Sequence, residues 1–336
     1  MDLHTRISAI ARLGSELPGL LKTTLPDEAF QANDWFTRSE TERAVNSWAE
    51  MLTFENLLKW TDPYRLPDSL PQKEILVVTA GNIPLVGFHD FLSVLISGNR
   101  FMGKLSSRDN ILLRKIANEL IRMEPRFAGL INLDGQTTPD GVIATGSNNS
   151  ARYFQLQYGQ LPHVFRKNRS SAAILDGTET DEDLKGLASD MLLYYGLGCR
   201  SVSHLFFPFG YSPGKLVTCL SSYSGIDPCK PFTDNHRFQQ ARLTMLGIPF
   251  LDAGNTLLVE NESLHSRIGV VNYSYYIDRK SLMNSLLAQS GEIQCLVGHA
   301  SLIPGILPFG TAQHPELWDY ADQVDTLKFL NNIPGR

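Results

Sequence analysis

Four short stretches carry residue types that can do chemistry. The first is Gly198-Cys199-Arg200-Ser201, between a helix-like pattern over residues 181–195 and an apolar run over 202–208. A cysteine flanked by glycine at such a junction can expose its sulfur and leave its backbone N–H open, the needs of a thiolate nucleophile. The same residue type also packs as a small buried thiol. The second stretch is Gly81-Asn82-Ile83-Pro84. Its Asn82 amide can donate to an oxyanion or satisfy its own turn. The third is Met102-Gly103-Lys104-Leu105-Ser106-Ser107. Lys104 can hold a ribose or phosphate, helped by Ser106 and Ser107, or simply be solvated. The fourth is Ala144-Thr145-Gly146-Ser147, whose open N–H groups suit a pyrophosphate if a helix starts there; otherwise it is an ordinary turn.

These stretches need elements to position them. Residues 74–80 form a continuous β-branched and apolar run, as in a strand buried on both faces. Helical patterns over 85–96 and 111–123 alternate with short strands at 100–104, 130–133 and 142–145. Such alternation predicts an α/β protein with a mostly parallel, doubly wound sheet, and ligands bind such sheets at the carboxyl ends of strands. Asn82, Lys104 and the Thr145–Ser147 turn all fall at such ends. A polar stretch over 166–171 marks a domain boundary, after which the alternation resumes: strands at 172–175, 202–208, 256–259 and 268–273, and helices at 216–223 and 279–288. The predicted organisation is therefore helices plus a nucleotide-binding domain over 1–170, a nucleophile domain over 171–315, and a helical tail over 316–336. Ahead of the first strand, Leu3, Ile7 and Ile10 recur at helical spacing, and Ser39-x-x-Glu42 reads as a capping box.

Composition narrows the class. The chain has 336 residues, 43% hydrophobic and 19% charged, with a formal net charge of -5. That charge gives no basic excess for nucleic acid. The four cysteines form no C-x-x-C pair, so neither a disulfide framework nor a metal site is expected. The N-terminus has no signal-peptide pattern, and no run reaches the ~20 apolar residues of a membrane span, so a soluble cytoplasmic protein is expected.

Taken in order, the four stretches resemble the aldehyde dehydrogenase superfamily. That family has an Asn-x-Pro loop after its first nucleotide-domain strand, a strand ending in Lys, a Thr-Gly-Ser turn and a Gly-x-Cys nucleophile. Leu307-Pro308-Phe309-Gly310 resembles its late Pro-Phe-Gly. The resemblance covers residues 70–330. It implies two doubly wound α/β domains with the active site in the cleft between them. It further implies Cys199 and Asn82 as catalytic residues, and Lys104, Ser106, Ser107, Thr145, Gly146, Ser147, Pro308 and Phe309 around a nicotinamide cofactor. One departure is informative. Hydrolytic members carry a Glu where this chain reads His163 to Ser171, and no Asp or Glu lies between Tyr153 and Leu175. Without a base for water, the acyl group is expected to pass between a thiol and Cys199. The chain is thus most similar to the LuxC-like acyl-CoA reductases of bacterial luminescence. The implied reaction reduces acyl-CoA or another acyl thioester to an aldehyde, with an acyl-transferring partner enzyme as one source of the acyl group. Ser107 and Arg108 replace the acidic residue that repels a 2′-phosphate, so NADPH is expected over NADH. His163 and His204 are candidate proton donors, and Arg166 a candidate contact to CoA phosphates. A homodimer stays open. The alternative is a degenerate subunit that binds nucleotide or acyl chains for a partner, because residues 262–267 do not match the family's nicotinamide-ribose segment.

Overall fold

The computed structural model describes residues 1–66, 68, 72–134 and 137–334, apart from the side chain of Asn148. The chain divides into two units. One comprises Met1–Asn168 with Glu316–Arg336, and the other Arg169–Pro315.

The first unit begins with four helices, Leu3–Leu20, Leu25–Ala32, Arg38–Met51 and Phe54–Thr61. Ile7, Ile10, Leu13 and Leu17 on the first are fully buried, as helical spacing requires. The third helix is capped by Thr37, which accepts from Glu40 N, rather than by Ser39. Thr37 has the extended backbone that aims a hydroxyl back at the first turn, whereas Ser39 is already inside the helix. A parallel sheet follows: β1 (Glu74–Val78), β2 (Arg100–Lys104), β3 (Ile131–Asn132), β4 (Gly141–Thr145) and β5 (His163–Arg166). Its order is β3-β2-β1-β4-β5. The chain runs outward through β2 and β3, then returns to place β4 on the other side of β1. Ile75 and Val77 pack into one core with Phe88, Phe91 and Phe101. Leu76 and Val78 pack into another with Met102, Val142 and Phe154. Both faces of β1 are therefore covered, and its unbroken apolar sequence follows from that.

The C-terminal segment belongs to this unit. Of the helical tail expected over 316–336, the described residues are α-helical only at Thr326–Asn332, preceded by a single 3-10 turn at Ala321–Gln323. Asp322 and Gln323 have φ of +58°, which stops a helix, and Asp325 caps the short helix through Lys328 N at 2.8 Å.

The second unit holds β6 (Ser170–Ile174), β7 (Val202–Pro208), β8 (Leu251–Asp252), β9 (Leu257–Glu260), β10 (Val270–Tyr276) and β11 (Ile293–Gly298). Their order is β11-β6-β7-β10-β9-β8, parallel except for β8. Several elements are not visible in the sequence pattern, among them β5, β11, the two-residue β8 and the helix Lys230–Met245. β5 lies next to the polar stretch, β11 is interrupted by Gln294, and the helix Lys230–Met245 exposes Phe238 and Met245, which blurs its amphipathic pattern. Among the described residues, no helix is long and apolar enough to cross a membrane.

Candidate functional site

In the first unit, β1, β2 and β4 end level. Val78 pairs with Lys104 on one side and with Ala144 on the other. This is where strand order reverses, the crevice in which open α/β sheets bind ligands. Lys104, Ser107 and Ser147 are exposed there, and Asn82, Ser106, Thr145 and Gly146 are half-buried. The loops after β1 and β2 are laced together. Thr79 N donates to Lys104 O at 3.1 Å, and Ser106 N donates to Thr79 Oγ1 at 3.1 Å. Gly81 lies so close to the Ser106 loop that a Cβ would stand 2.4 Å from Ser106 Oγ.

A further residue that the sequence reading missed ties the Asn82 loop. Asp109 is buried, and its Oδ2 accepts from Leu85 N at 2.9 Å. Leu85 has φ +60°, a left-handed conformation costing about 1–2 kcal/mol outside glycine. The carboxylate thus holds the strained end of the Asn82-Ile83-Pro84 turn. Burial pushes its pKa up to about 7, against the opposing effect of the Leu85 N–H.

The Thr145-Gly146-Ser147 turn opens the helix Asn148–Tyr158. Ser147 caps it, accepting from Ser150 N at 3.2 Å. Gly146 is required there, because a Cβ would come within 2.8 Å of Ser150 Cβ.

In the second unit, Cys199 is exposed in a turn closed by Ser201 N donating to Gly198 O at 3.0 Å. The chain reaches it through a tight kink. The helix Asp181–Leu192 ends, and Tyr194, Tyr195 and Gly196 then adopt φ of +52°, +56° and +70°. Two tyrosines in this region cost about 1–2 kcal/mol each. The kink is held because Tyr195 is buried against Phe232 and its hydroxyl donates to Asp227 O at 2.7 Å.

The same turn anchors the loop of Pro308 and Phe309. Arg200 Nε donates to Ala312 O at 2.6 Å. Asp190, fully buried on the preceding helix, accepts from Gly310 N at 2.6 Å and Ala312 N at 2.9 Å. Burial raises the Asp190 pKa to about 6, although the two amides and Arg200 pull it down. Gly186 lets the loop lie against the helix, since a Cβ there would be 2.8 Å from the Phe309 carbonyl carbon. Pro308 is exposed and Phe309 half-buried. The structure therefore brings seven of the predicted residues to one edge of the first unit. Cys199, Pro308 and Phe309 share a second cluster in the other unit. Asp190 was legible only as a lone acid on an apolar helix face.

Two expectations change, those for His204 and Arg166. His204 is buried, with Nδ1 donating to Ser263 O at 3.0 Å and Nε2 accepting from Ser274 Oγ at 2.9 Å. Burial lowers its pKa to about 4, so it is a neutral structural histidine and not a proton donor near neutral pH. His163 donates through Nδ1 to Leu161 O at 2.7 Å and stacks on Phe165. Arg166 is buried in an ion pair with Asp90 at 2.5 Å and donates to Thr326 Oγ1 at 2.9 Å, so it is not presented to CoA phosphates.

The fold is that of the aldehyde dehydrogenases. An indole-3-acetaldehyde dehydrogenase in complex with NAD+ aligns with a TM-score of 0.66 at 13% identity, over 88% of this chain and 72% of its own. The aldehyde dehydrogenase KauB from Pseudomonas aeruginosa aligns with a TM-score of 0.66 at 12% identity, over 88% and 72%. An NAD-dependent benzaldehyde dehydrogenase from Corynebacterium glutamicum gives 0.64 at 13% identity, over 88% and 76%. No curated protein matches the sequence significantly. A family model described as acyl-CoA reductase (LuxC) matches residues 22–221. The chain belongs to that family, and with it to the oxidoreductases of aldehyde chemistry.

Proposed function

We propose that the chain is an NAD(P)H-dependent acyl-CoA reductase that forms an aldehyde through a thioester on Cys199. The observation that carries this reading is the family match, whose residues 22–221 include Asn82, Lys104, Thr145–Ser147 and Cys199. The absence of any Asp or Glu between Tyr153 and Leu175 supports acyl transfer to a thiol over hydrolysis.

The Cys199 thiolate attacks the thioester carbonyl. The Cys199 N–H stabilises the oxyanion, and one such donor is typically worth about 3 kcal/mol. CoA leaves as its thiolate when the oxyanion collapses, and the acyl group stays on Cys199. A nicotinamide, when bound, supplies the hydride that reduces this thioester. Cys199 then departs as thiolate while the carbonyl reforms, releasing aldehyde. The first unit suits a dinucleotide: its switch point has a helix start whose Gly146 tolerates no Cβ, and an exposed lysine stands at the neighbouring strand end. Gly146 and Ser147 would hold the pyrophosphate, Lys104 and Ser106 the adenosine ribose, and Ser107 with Arg108 a 2′-phosphate. Pro308 and Phe309 would border the nicotinamide. The acyl donor is CoA or the thioester of a partner acyltransferase.

The test is intact-protein mass after mixing with long-chain acyl-CoA and no reductant. Wild type is expected to gain one acyl group, Cys199→Ala none, and NADPH to discharge the adduct. No adduct from any acyl thioester would overturn the catalytic reading in favour of a nucleotide- or acyl-binding subunit.

A further inference from the structure

Two irregularities of the second sheet meet at one residue, Ser171. Between β6 and β7, Ser171 pairs with Val202 and Ala172 with His204, leaving Ser203 as an extra residue. Between β6 and β11, Ser170 pairs with Ile293 and Ala172 with Leu296, so Gln294 and Cys295 together face Ser171. Bulges re-aim side chains, and they concentrate beside active sites. Here they surround a fully buried hydroxyl. Ser171 Oγ donates to the carbonyl oxygen of Cys199 at 2.9 Å and lies 3.1 Å from Cys295 Sγ.

A serine hydroxyl has one proton. It is committed to the Cys199 carbonyl, so the second bond runs from the Cys295 thiol to Ser171 Oγ. The chain of donors is therefore Cys295 S–H to Ser171 O–H to Cys199 C=O. It fixes the peptide plane that follows the nucleophile, and with it the direction of the Cys199 side chain. A thiolate at Cys295 would compete for the same proton.

We propose that Ser171 and Cys295 are positioning residues for Cys199. Ser171 holds the nucleophile's carbonyl, and a protonated Cys295 keeps the Ser171 hydroxyl turned toward it. This rests on the reading of Cys199 as the acylated residue. Misplacing a nucleophile by a fraction of an ångström slows its reaction while leaving substrate binding intact.

The experiment is single-turnover acylation of the full chain by long-chain acyl-CoA, followed by mass over a range of substrate concentrations. Ser171→Ala should lower the maximal acylation rate about tenfold, the worth of one buried hydrogen bond, and leave the half-saturating concentration within about twofold. Ser171→Thr, which keeps a hydroxyl, should restore most of the rate. Cys295→Ser, which keeps a donor, should stay closer to wild type than Cys295→Ala. A wild-type maximal rate in Ser171→Ala would overturn the proposal, as would a loss confined to half-saturation. The Cys295 pair tests it independently should Ser171→Ala not fold. A second readout separates failure of the inference from failure of the functional reading. If wild type accepts no acyl group, deuterium exchange over residues 198–202 still reports the anchor. Faster exchange in Ser171→Ala, reversed in Ser171→Thr, supports it; unchanged exchange overturns it.

Discussion

At the scale of single residues, the chain keeps carboxylates in places where ionisation is costly. Asp109 is the sharpest case. Its pKa is raised from 3.8 to about 7, so the folded state binds its proton more tightly than the unfolded chain does. The sign follows: the Asp109 contribution is fully present below pH 3.8 and is lost as pH rises toward 7. The loss is on the order of a few kcal/mol by linkage. Asp109→Asn, which keeps an acceptor for Leu85 N, should flatten stability between pH 4 and pH 7. Urea unfolding across that range measures this, and an unchanged slope would count against a raised Asp109. Sequence could not disclose this residue. Asp109 reads as a loop acid, and only the approach of Leu85 N, 24 positions earlier, gives it a role. Cys199, Asn82 and Lys104 were legible because small residues and strand ends surround them in the sequence itself.

At the scale of elements, the strand–helix rhythm of the first unit could be read from the sequence, because β1 alternates sides between two apolar cores. The Cys199 turn could be located but not built. Its shape depends on left-handed tyrosines held by Asp227 and Phe232, contacts that no local pattern encodes. The Pro308-Phe309 loop depends in the same way on the helix Asp181–Leu192. Gly186→Ala tests that dependence. A new Cβ at 2.8 Å from the Phe309 backbone must push the loop or the helix, since neither neighbour is a flexible side-chain end. Overpacking of this kind costs about 1–3 kcal/mol. The expected result is a lower melting temperature together with slower acyl reduction. Thermal melts and steady-state rates check it, and an unchanged protein would show that the loop does not rest on Gly186.

His299 joins elements of the second unit as well. It follows β11, and its Nδ1 lies 2.9 Å from Asp176 Oδ2, while Nε2 lies 3.4 Å from Asp183 Oδ2. The Asp176 hydrogen bond raises its pKa above 6.5. The stabilisation is complete below pH 6.5 and disappears as pH rises through the folded value. NMR titration should place the His299 midpoint above that of a peptide histidine. A midpoint at or below 6.5 would refute the pairing.

At the scale of the whole molecule, the chain order does not match the order of the units. Residues 316–336 read as a separate tail, yet they complete the first unit. The reason is packing at long sequence separation. Leu317, Leu327, Leu330 and Ile333 are buried in the same core as Ile75 and Val77. Trp60 Nε1 donates to Tyr320 OH at 2.8 Å, and Tyr64 OH donates to Asp325 at 2.9 Å. Each buried aliphatic side chain is worth about 1.5–3 kcal/mol, so the segment contributes a large share of a domain's usual margin. All four tryptophans, Trp35, Trp48, Trp60 and Trp318, lie in this unit, so indole fluorescence reports it alone. A chain ended after Pro315 should lose the cooperative fluorescence transition on urea unfolding, or shift its midpoint strongly downward. Near-ultraviolet signals from tyrosines of the second unit, Tyr195 and Tyr273 among them, should change far less. Equal loss in both would mean that the segment stabilises the chain as one cooperative block, and a wild-type transition would mean that the first unit folds without it.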